Sequence, residues 1–259
     1  MSLNSGSKPP RVLLMANQQV GAQIATWLFA HYPDDLALVV TIDEDAIWAE
    51  AKRLSIPAIS FESEFQVDDH FRSRGNRPDL GLLVWWPRIV KETLLELPEQ
   101  GFVNTHPSYL PYNRGKHYNF WAIVENAPFG VTLHKVARGI DSGEIVSQNR
   151  ISYDWTDTGG TLYEKATLEM VRLFQSAYPT IRKLDIPTYA QDVNASSFHH
   201  SSELAAASRI DLDQPCTPRD LLNRMRARTF SGHPACWFEE DGVRYEVRTE
   251  IRKVNHESS

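Results

Sequence analysis

The sequence predicts an α/β fold: a Rossmann-like, mostly parallel sheet with helices on both faces, plus a small C-terminal α+β appendage. Two observations support this prediction. Short apolar runs alternate with helical patterns over residues 11–105, and strands without polar alternation are typical of a parallel sheet that is covered on both faces. The end of the chain instead carries a helical pattern followed by a hairpin pattern.

The first half of the chain opens with a strand, a loop and a helix. Residues 11–16 (RVLLMA) are apolar, a polar loop follows, and a helical pattern covers about 20–31. The turn lacks the G-x-G-x-x-G of dinucleotide-binding folds, so the pattern indicates a fold and not NAD binding. A second helix is predicted over 44–54, and further apolar runs predict strands at 36–41, 57–61, 80–85 and 102–105.

The pattern changes after the fifth strand, where a loop rich in Pro, Asn and Gly covers residues 107–116. Helices are then predicted over 118–125, 158–184 and 217–227, and strands over 130–136, 144–153, 235–239 and 243–250. The polar, Ser/His-rich residues 190–202 are expected to be a linker. We therefore expect a main domain over residues 1–189, and a linker with a small helix/hairpin module over 190–259.

Composition excludes several classes of function. The chain has 259 residues, 42% of them hydrophobic, and a net charge of −6 without a long run of one sign, so no nucleic-acid partner is expected. Cys216 and Cys236 lack C-x-x-C spacing, and the adjacent His199-His200 lacks helical ligand spacing, so we expect no disulfide framework and no metal. A polar N-terminus and the lack of a long apolar run favour a cytoplasmic protein without a membrane partner.

Three polar residues stand where such a sheet can bind a ligand. Asn104 and His106 lie two residues apart as the fifth strand ends, so their side chains share one face of the strand. Ligands bind at the carboxyl ends of strands in open α/β sheets. Asp141 stands within residues 139–143 (GIDSG), whose glycines permit a tight turn and a close approach to a ligand.

An amide, an imidazole and a carboxylate are the groups that acyl transfer to an amine requires. An amide N–H stabilises the oxyanion of the tetrahedral intermediate, and a neutral imidazole accepts a proton from the attacking nitrogen. A carboxylate orients that imidazole and stabilises its cationic form. No Ser or Cys nucleophile is needed, because the amine itself attacks. Without further evidence, a histidine at a strand end such as His106 is more often a hydrogen-bonded structural residue, and an aspartate between glycines such as Asp141 more often only forms a turn.

Three motifs around these residues resemble those of the formyltransferases that use N10-formyltetrahydrofolate. Residues 104–115 (NTHPSYLPYNRG) resemble the family's N-x-H-P-S-x-L-P-x-x-R-G signature. Residues 130–134 (GVTLH) resemble its G-V-T-x-H strand, and residues 141–145 (DSGEI) resemble its D-x-G-x-I motif. The motifs occur in the family's order and spacing. The resemblance is strong over about residues 78–150 and weaker over the N-terminal strands.

The resemblance implies a formyltransferase catalytic domain over residues 1–189, with N10-formyltetrahydrofolate as the formyl donor. It assigns Asn104 to stabilising the oxyanion, His106 to the general base and Asp141 to positioning His106. The folate is expected beside the end of the fourth strand and the loop before Asp141, held mostly by backbone atoms. The residues expected to bind it are Trp86, Arg88, Ile89, Val90, Gly139 and Ile140.

Three classes of acceptor amine are compatible with this resemblance. Methionyl-tRNA formyltransferases are longer and contact nucleic acid, whereas residues 190–259 hold eleven acidic residues against nine Lys and Arg, the opposite of what phosphate binding favours. Glycinamide ribonucleotide formyltransferases resemble the catalytic domain alone. Sugar N-formyltransferases are similar in size, C-terminal module and the aromatic run over 112–121. The expected acceptor is therefore a nucleotide-linked amino-deoxysugar, in the first place a dTDP-linked amino-6-deoxyhexose.

A nucleotide-linked sugar requires cations near its pyrophosphate and an aromatic face for its base. The residues expected to bind it are Arg114, Lys116, Tyr118 and Phe230, with Arg226, Arg228, Phe120 and Trp121 as further candidates. A regulator that binds folate or nucleotide without catalysis is the non-enzyme alternative. The sequence leaves open the hexose, the nucleotide and the choice between a C-3 and a C-4 amine. Family analogy alone suggests a homodimer, and a product that enters a surface polysaccharide such as the O-antigen of lipopolysaccharide.

Overall fold

A computed structural model describes residues 8–254. Its strands are β1 (Val12–Ala16), β2 (Leu36–Thr41), β3 (Ala58–Ser60), β4 (Leu80–Val84), β5 (Phe102–His106), β6 (Arg114–Gly115), β7 (Gly130–Lys135), β8 (Ile145–Arg150), β9 (Phe198–His199), β10 (Cys236–Glu240) and β11 (Val243–Val247). Its α-helices are α1 (Gln18–His31), α2 (Ala46–Arg53), α3 (Glu64–Arg72), α4 (Glu92–Leu95), α5 (Tyr118–Val124), α6 (Gly159–Ile181), α7 (Glu203–Ala207) and α8 (Pro218–Arg228).

The main sheet has seven strands in the order β3-β2-β1-β4-β5-β7-β8. The strands from β3 to β5 pair in parallel, and β7 and β8 add to the sheet in antiparallel. This arrangement confirms the predicted Rossmann-like, mostly parallel sheet with helices on its faces. The order of the parallel strands reverses between β1 and β4, and open α/β sheets bind ligands at the carboxyl ends of the strands beside such a switch point.

Both faces of the sheet are covered, which explains why its central strands carry no polar face. In β1, Leu13 and Met15 belong to a core with residues of α3 and α4, whereas Leu14 and Ala16 belong to a core with residues of α1, α5 and α6. Successive side chains of a strand point to opposite faces. Every residue of β1 and of β4 is consequently buried.

Three helices, α3, α4 and α7, were not predicted from the sequence. Between Glu64 and Arg72, only Val67 and Phe71 turn inward as apolar residues, which is too short a pattern to indicate a helix. The other two helices span four and five residues. Predicted helices and strands elsewhere are present with shifted ends; the strand predicted over 144–153, for example, spans Ile145–Arg150.

The expected linker is held against the main domain. Within residues 190–202, β9 pairs in parallel with β6, through Arg114 N–H to Ser197 O and Lys116 N–H to His199 O. An isolated bridge also joins Tyr189 to Ile145. We call residues 191–202 the strap. Its polar composition suggested an exposed linker, but its backbone hydrogen bonds are made with the loop that follows β5.

The C-terminal module consists of α8 and the β10–β11 hairpin. The hairpin turns at Asp241 and Gly242, both with positive φ, which confirms the predicted antiparallel strands around this turn. The guanidinium of Arg226 is buried against the main domain, where it donates to the carbonyls of Asp154 and Asp157 at 2.8 Å each. Within residues 8–254, no helix is long and apolar enough to cross a bilayer.

Asp35 joins the start of β2 to the end of α6. Its buried carboxylate accepts hydrogen bonds from Tyr178 Oη at 2.9 Å and from both Arg182 Nε and Nη2, at 2.8 and 2.7 Å. We expect Asp35→Asn to lower the free energy of unfolding by about 3–5 kcal/mol, because it leaves the Arg182 charge facing an amide N–H₂. Urea unfolding followed by fluorescence measures the change.

Two control variants delimit this prediction. Tyr178→Phe removes one hydrogen bond and should cost about 1 kcal/mol. Glu50→Gln removes the exposed partner of Arg53 and should leave the unfolding midpoint unchanged. An Asp35→Asn variant as stable as Glu50→Gln would show that the Asp35 cluster does not hold α6 to the sheet.

Candidate active site

A cavity of about 880 Å³ opens at the edge of the sheet where β4 and β5 end. Residues that follow these two strands form one part of its wall, and the loops after β6 and β7 form others. The position agrees with the expectation that the carboxyl edge of the sheet carries the site. Its lining includes polar and ionisable side chains near the strand ends and the strap, among them Asn104, His106, Lys116, His117, Tyr118, His134, Asp141 and His200.

The structure brings Asn104, His106 and Asp141 together in this cavity. The His106 ring is only 5% exposed, and its Nδ1 lies 3.6 Å from Asp141 Oδ2. Among residues 8–254, His106 Nε2 has no hydrogen-bond partner although the atom is buried. Because buried polar atoms are nearly always paired, this nitrogen is suited to exchange a proton or a hydrogen bond with a bound ligand.

Asp141 is held by the backbone of two loops. It adopts a left-handed φ of 50°, and its Oδ2 accepts the Gly115 N–H at 3.0 Å. Gly143 permits this turn to lie on β7, since a Cβ there would come within 1.7 Å of Lys135 O. Burial alone would raise the pKa of the Asp141 carboxyl, but the His106 and His134 rings and the Gly115 N–H lower it below its usual value.

His134 is a site residue to which the sequence analysis gave no role. It lies directly across from Asn104 in the β5–β7 pair, with its Nε2 3.2 Å from Asn104 Nδ2. Its Nδ1 lies 2.8 Å from Lys135 O. Burial, with His106 beside it, lowers the pKa of the His134 ring to about 4. The only sequence signal was its position as the last residue of the G-V-T-x-H resemblance.

All residues expected to bind the folate line the cavity: Trp86, Arg88, Ile89, Val90, Gly139 and Ile140. The Trp86 ring packs edge-on against Phe61 at 5.3 Å, and its buried Nε1 has no hydrogen-bond partner in the described part of the chain. Ile89 is 85% exposed, and Ile140 is exposed as well. This part of the wall therefore offers apolar surface together with one unused donor.

Of the residues expected to bind the acceptor, Lys116, Tyr118 and Phe230 line the cavity, and Arg114 does not. The guanidinium of Arg114 lies over the ring of Phe198, 6.0 Å from its centre, because the pairing of β6 with β9 brings these residues side by side. Phe230 packs at 5.4 Å against Tyr163, which also lines the cavity. Burial raises the pKa of the Tyr118 hydroxyl, so this side chain stays neutral.

Four further candidates from the sequence have structural contacts instead. Arg226 is buried in the backbone contacts of the C-terminal module, and Arg228 donates to Ser208 Oγ at 2.9 Å. Phe120 is part of the core, and the Trp121 ring stacks on His199 at 3.9 Å. None of these four lines the cavity.

The strap contributes cavity residues that sequence analysis missed. His200 and Ser201 line the cavity next to His117. Burial, with Arg228 and Lys116 nearby, lowers the pKa of the His117 ring. The adjacent-histidine pair had suggested only exposed surface, and no sequence signal showed that β9 pairs with β6. Within residues 8–254, no group of three or more His, Cys, Asp or Glu is arranged to hold a metal ion.

His199 fixes the strap in place. Its Nε2 lies 2.7 Å from Glu125 Oε1 and its Nδ1 lies 3.1 Å from Glu203 Oε2. The Asn113 amide donates to the other oxygen of Glu125 at 2.9 Å. These contacts join the loop after β5, the end of α5 and the strap in one hydrogen-bonded cluster, with the Trp121 ring stacked on His199.

Two family models match the chain. The model described as formyl transferase matches residues 22–177, which include the three candidate catalytic residues. The model described as the N-formyltransferase dimerization C-terminal domain matches residues 203–253.

Individual proteins similar to the chain are also formyltransferases. The chain is 26% identical over 179 residues to a methionyl-tRNA formyltransferase from Bacillus velezensis, covering 69% of this chain and 56% of that protein. The chain thus spans little more than half the length of this curated relative. A 4-N formyltransferase from Francisella tularensis superposes with a TM-score of 0.80 at 19% identity, covering 96% of this chain and all of the other. An N-formyltransferase from Helicobacter canadensis, solved with folinic acid and dTDP-3-aminofucose, gives 0.69 at 19% identity over 90% and 85%.

We expect His199→Phe to loosen the strap, because the phenyl ring can keep the stacking on Trp121 but leaves Glu125 and Glu203 without their shared donor. Amide hydrogen exchange should show it: exchange of the Lys116 N–H, which is bonded to His199 O, should rise by about tenfold. His200→Phe is the matched control, because the His200 ring makes only an edge contact with Phe198. Equal exchange in both variants would refute a holding role for His199.

Proposed function

The chain belongs to the formyl transferase family, and we propose that it transfers a formyl group from N10-formyltetrahydrofolate to the amine of a nucleotide-linked amino-deoxysugar. One observation carries the proposal: His106 lines the cavity with its buried Nε2 unpartnered among the described residues, its Nδ1 3.6 Å from Asp141 Oδ2, and Asn104 on the same strand face. A regulator that binds folate without catalysis would not need this arrangement.

The residues supply the two functions that amide formation requires. As the acceptor nitrogen bonds to the formyl carbon, negative charge develops on the formyl oxygen, and the Asn104 N–H stabilises it. His106 Nε2 takes the proton that the acceptor nitrogen loses and returns it to the folate nitrogen as the old C–N bond breaks. One C–N bond forms and one breaks, and the proton passes from acceptor to leaving group.

Asp141 makes His106 suitable for this task. Since the neighbouring rings and the Gly115 N–H lower the pKa of its carboxyl, Asp141 remains ionised at neutral pH. An ionised carboxylate near Nδ1 favours the ring tautomer that carries its proton there, which leaves Nε2 free to accept. The 3.6 Å separation is longer than a hydrogen bond, and such contacts often shorten when substrate binds.

The cavity fits a flat, partly polar donor such as a reduced folate. Trp86, Ile89 and Ile140 offer apolar faces, and the unused Trp86 Nε1–H can donate to a ligand oxygen or nitrogen. Gly139 and Ile140 are exposed residues in the same wall. Relatives solved with folinic acid, or with 5-formyltetrahydrofolate and dTDP, support this donor by analogy.

The rest of the wall fits an anionic nucleotide sugar. Lys116 supplies a cation, and the His117, His200 and Ser201 side chains add hydrogen-bond donors for phosphate oxygens. Tyr163 and Phe230 form an aromatic pair on which a base can stack. A tRNA acceptor is the alternative suggested by the methionyl-tRNA formyltransferase relatives.

Cellular role and assembly follow from the same proposal. A sugar-formylating enzyme of this kind would act in the cytoplasm, where nucleotide sugars are made, and its product would enter a surface polysaccharide such as O-antigen. Residues 203–253 match a dimerization domain, and Val243 and Tyr245 of the hairpin are exposed apolar residues. We therefore propose a homodimer that forms through this module.

We expect Asn104→Ala and His106→Ala each to lower kcat by about a hundredfold or more, because each removes a group that acts in the transition state. Tetrahydrofolate release under saturating donor and acceptor measures the loss. Glu50→Gln is the control, since the exposed Glu50 side chain pairs with Arg53 and does not line the cavity. Near-normal turnover in His106→Ala would refute the general-base role.

We expect rapid turnover with one member of a panel of dTDP- and GDP-linked 3- and 4-amino-6-deoxyhexoses. The cationic and aromatic walls should make the nucleotide necessary, so the free amino sugar should require a far higher concentration. Turnover on methionyl-tRNA or glycinamide ribonucleotide, with none on the sugars, would retain formyl transfer and overturn the proposed acceptor.

A further inference from the structure

His134 lies opposite Asn104 in the β5–β7 pair, and its ring contacts the side-chain amide of Asn104. We infer that His134 is a positioning residue: its Nε2 accepts a hydrogen bond from Asn104 Nδ2 and so turns the amide donor of Asn104 toward the cavity. The catalytic consequence of this inference rests on the proposed function. The hydrogen-bond arrangement itself can be tested without turnover.

The hydrogen bonds determine which His134 nitrogen carries the proton. Nδ1 lies 2.8 Å from Lys135 O. A carbonyl oxygen only accepts, so Nδ1 must be the donor. In a neutral ring the other nitrogen then holds a lone pair, and Nε2 can only accept, which requires Asn104 to present its N–H₂ group at 3.2 Å.

The surroundings of His134 keep the ring neutral. The ring is 2% exposed, and the groups facing it are His106, with ring centres 6.1 Å apart, and Asp141 Oδ1, 3.7 Å from Nε2. The carboxylate favours a charged ring, but burial and the neighbouring His106 outweigh it, so that the pKa of His134 falls to about 4. At neutral pH the lone pair on Nε2 is therefore available.

The orientation of the Asn104 amide determines whether an N–H donor or the carbonyl oxygen faces the developing oxyanion. A flipped amide would place its carbonyl oxygen against the Nε2 lone pair, which is repulsive. With Nδ2 bonded to His134, the second N–H of the same nitrogen has no other partner among residues 8–254. The side chain lines the cavity, so that N–H is free for the developing oxyanion, whereas a flipped amide would face the oxyanion with an oxygen.

The first test uses the unmodified protein. In long-range ¹H–¹⁵N spectra of the ¹⁵N-histidine-labelled protein at pH 7, the His134 ring should give the signal of an Nδ1–H tautomer, the minor form of free histidine, in addition to the Nδ1–H signal expected from His106. His134→Gln should remove the His134 signal and so assign it. An Nε2–H or doubly protonated His134 would overturn the inference. This result does not depend on any acceptor.

The second test is a double-mutant cycle in formyl transfer, run with whichever acceptor amine supports turnover. His134→Asn cannot reach Asn104 and should lower kcat by about tenfold to a hundredfold, with the donor KM nearly unchanged. His134→Gln places an amide oxygen near the former Nε2 and should retain most of kcat. In an Asn104→Ala background, His134→Asn should cost nothing more.

The outcomes distinguish failure of the His134 inference from failure of the proposed formyl-transfer function. A full loss from His134→Asn in the Asn104→Ala background would show that His134 acts on its own or only supports the fold, and would overturn the inference. If no acceptor supports turnover, the proposed function fails, whereas the tautomer measurement still decides whether His134 orients Asn104.

Discussion

The buried carboxylate of Asp141 is the constraint around which the cavity is organised. A charge away from water is costly unless hydrogen bonds and positive or polar groups surround it. Here the Gly115 N–H donates to the carboxylate, and the rings of His106 and His134 lie within 4 Å of its two oxygens. Two loops must therefore approach each other closely. A Cβ at Gly115 would clash with His199 O of the strap, and a Cβ at Gly143 would clash with Lys135 O of β7, so each of these loops requires a glycine there.

The sheet supplies the rigid part of this arrangement. Because both faces of the parallel strands are buried, the polar side chains needed for chemistry can reach solvent only at the strand ends. β5 is also where pairing changes from parallel to antiparallel. That change places a residue of β7 directly opposite Asn104, which is how His134 comes to contact it. The buried Thr105 hydroxyl, bonded to the Leu83 carbonyl and the Trp85 N–H, ties β5 to the end of β4.

Sequence alone predicted the features that depend on local pattern or motif. The apolar runs predicted the strands of the sheet, and the motifs singled out Asn104, His106 and Asp141, which line one cavity in the structure. It could not predict contacts that depend on register between distant segments. His134 acquires its partner only through the β5–β7 alignment, and the strap looks like a linker until β9 is paired with β6. Short helices such as α3 bury too few apolar residues to leave a pattern.

The strap links the part of the cavity wall proposed to bind the acceptor to the residues proposed for catalysis. In β6, the N–H groups on either side of Gly115 bond to strap carbonyls, so the Gly115 N–H itself points the other way, toward Asp141. The same strap carries His200 and Ser201 in the cavity wall. The wall proposed to bind the acceptor and the carboxylate proposed to orient His106 thus both depend on one hydrogen-bonded pair of strands, β6 and β9.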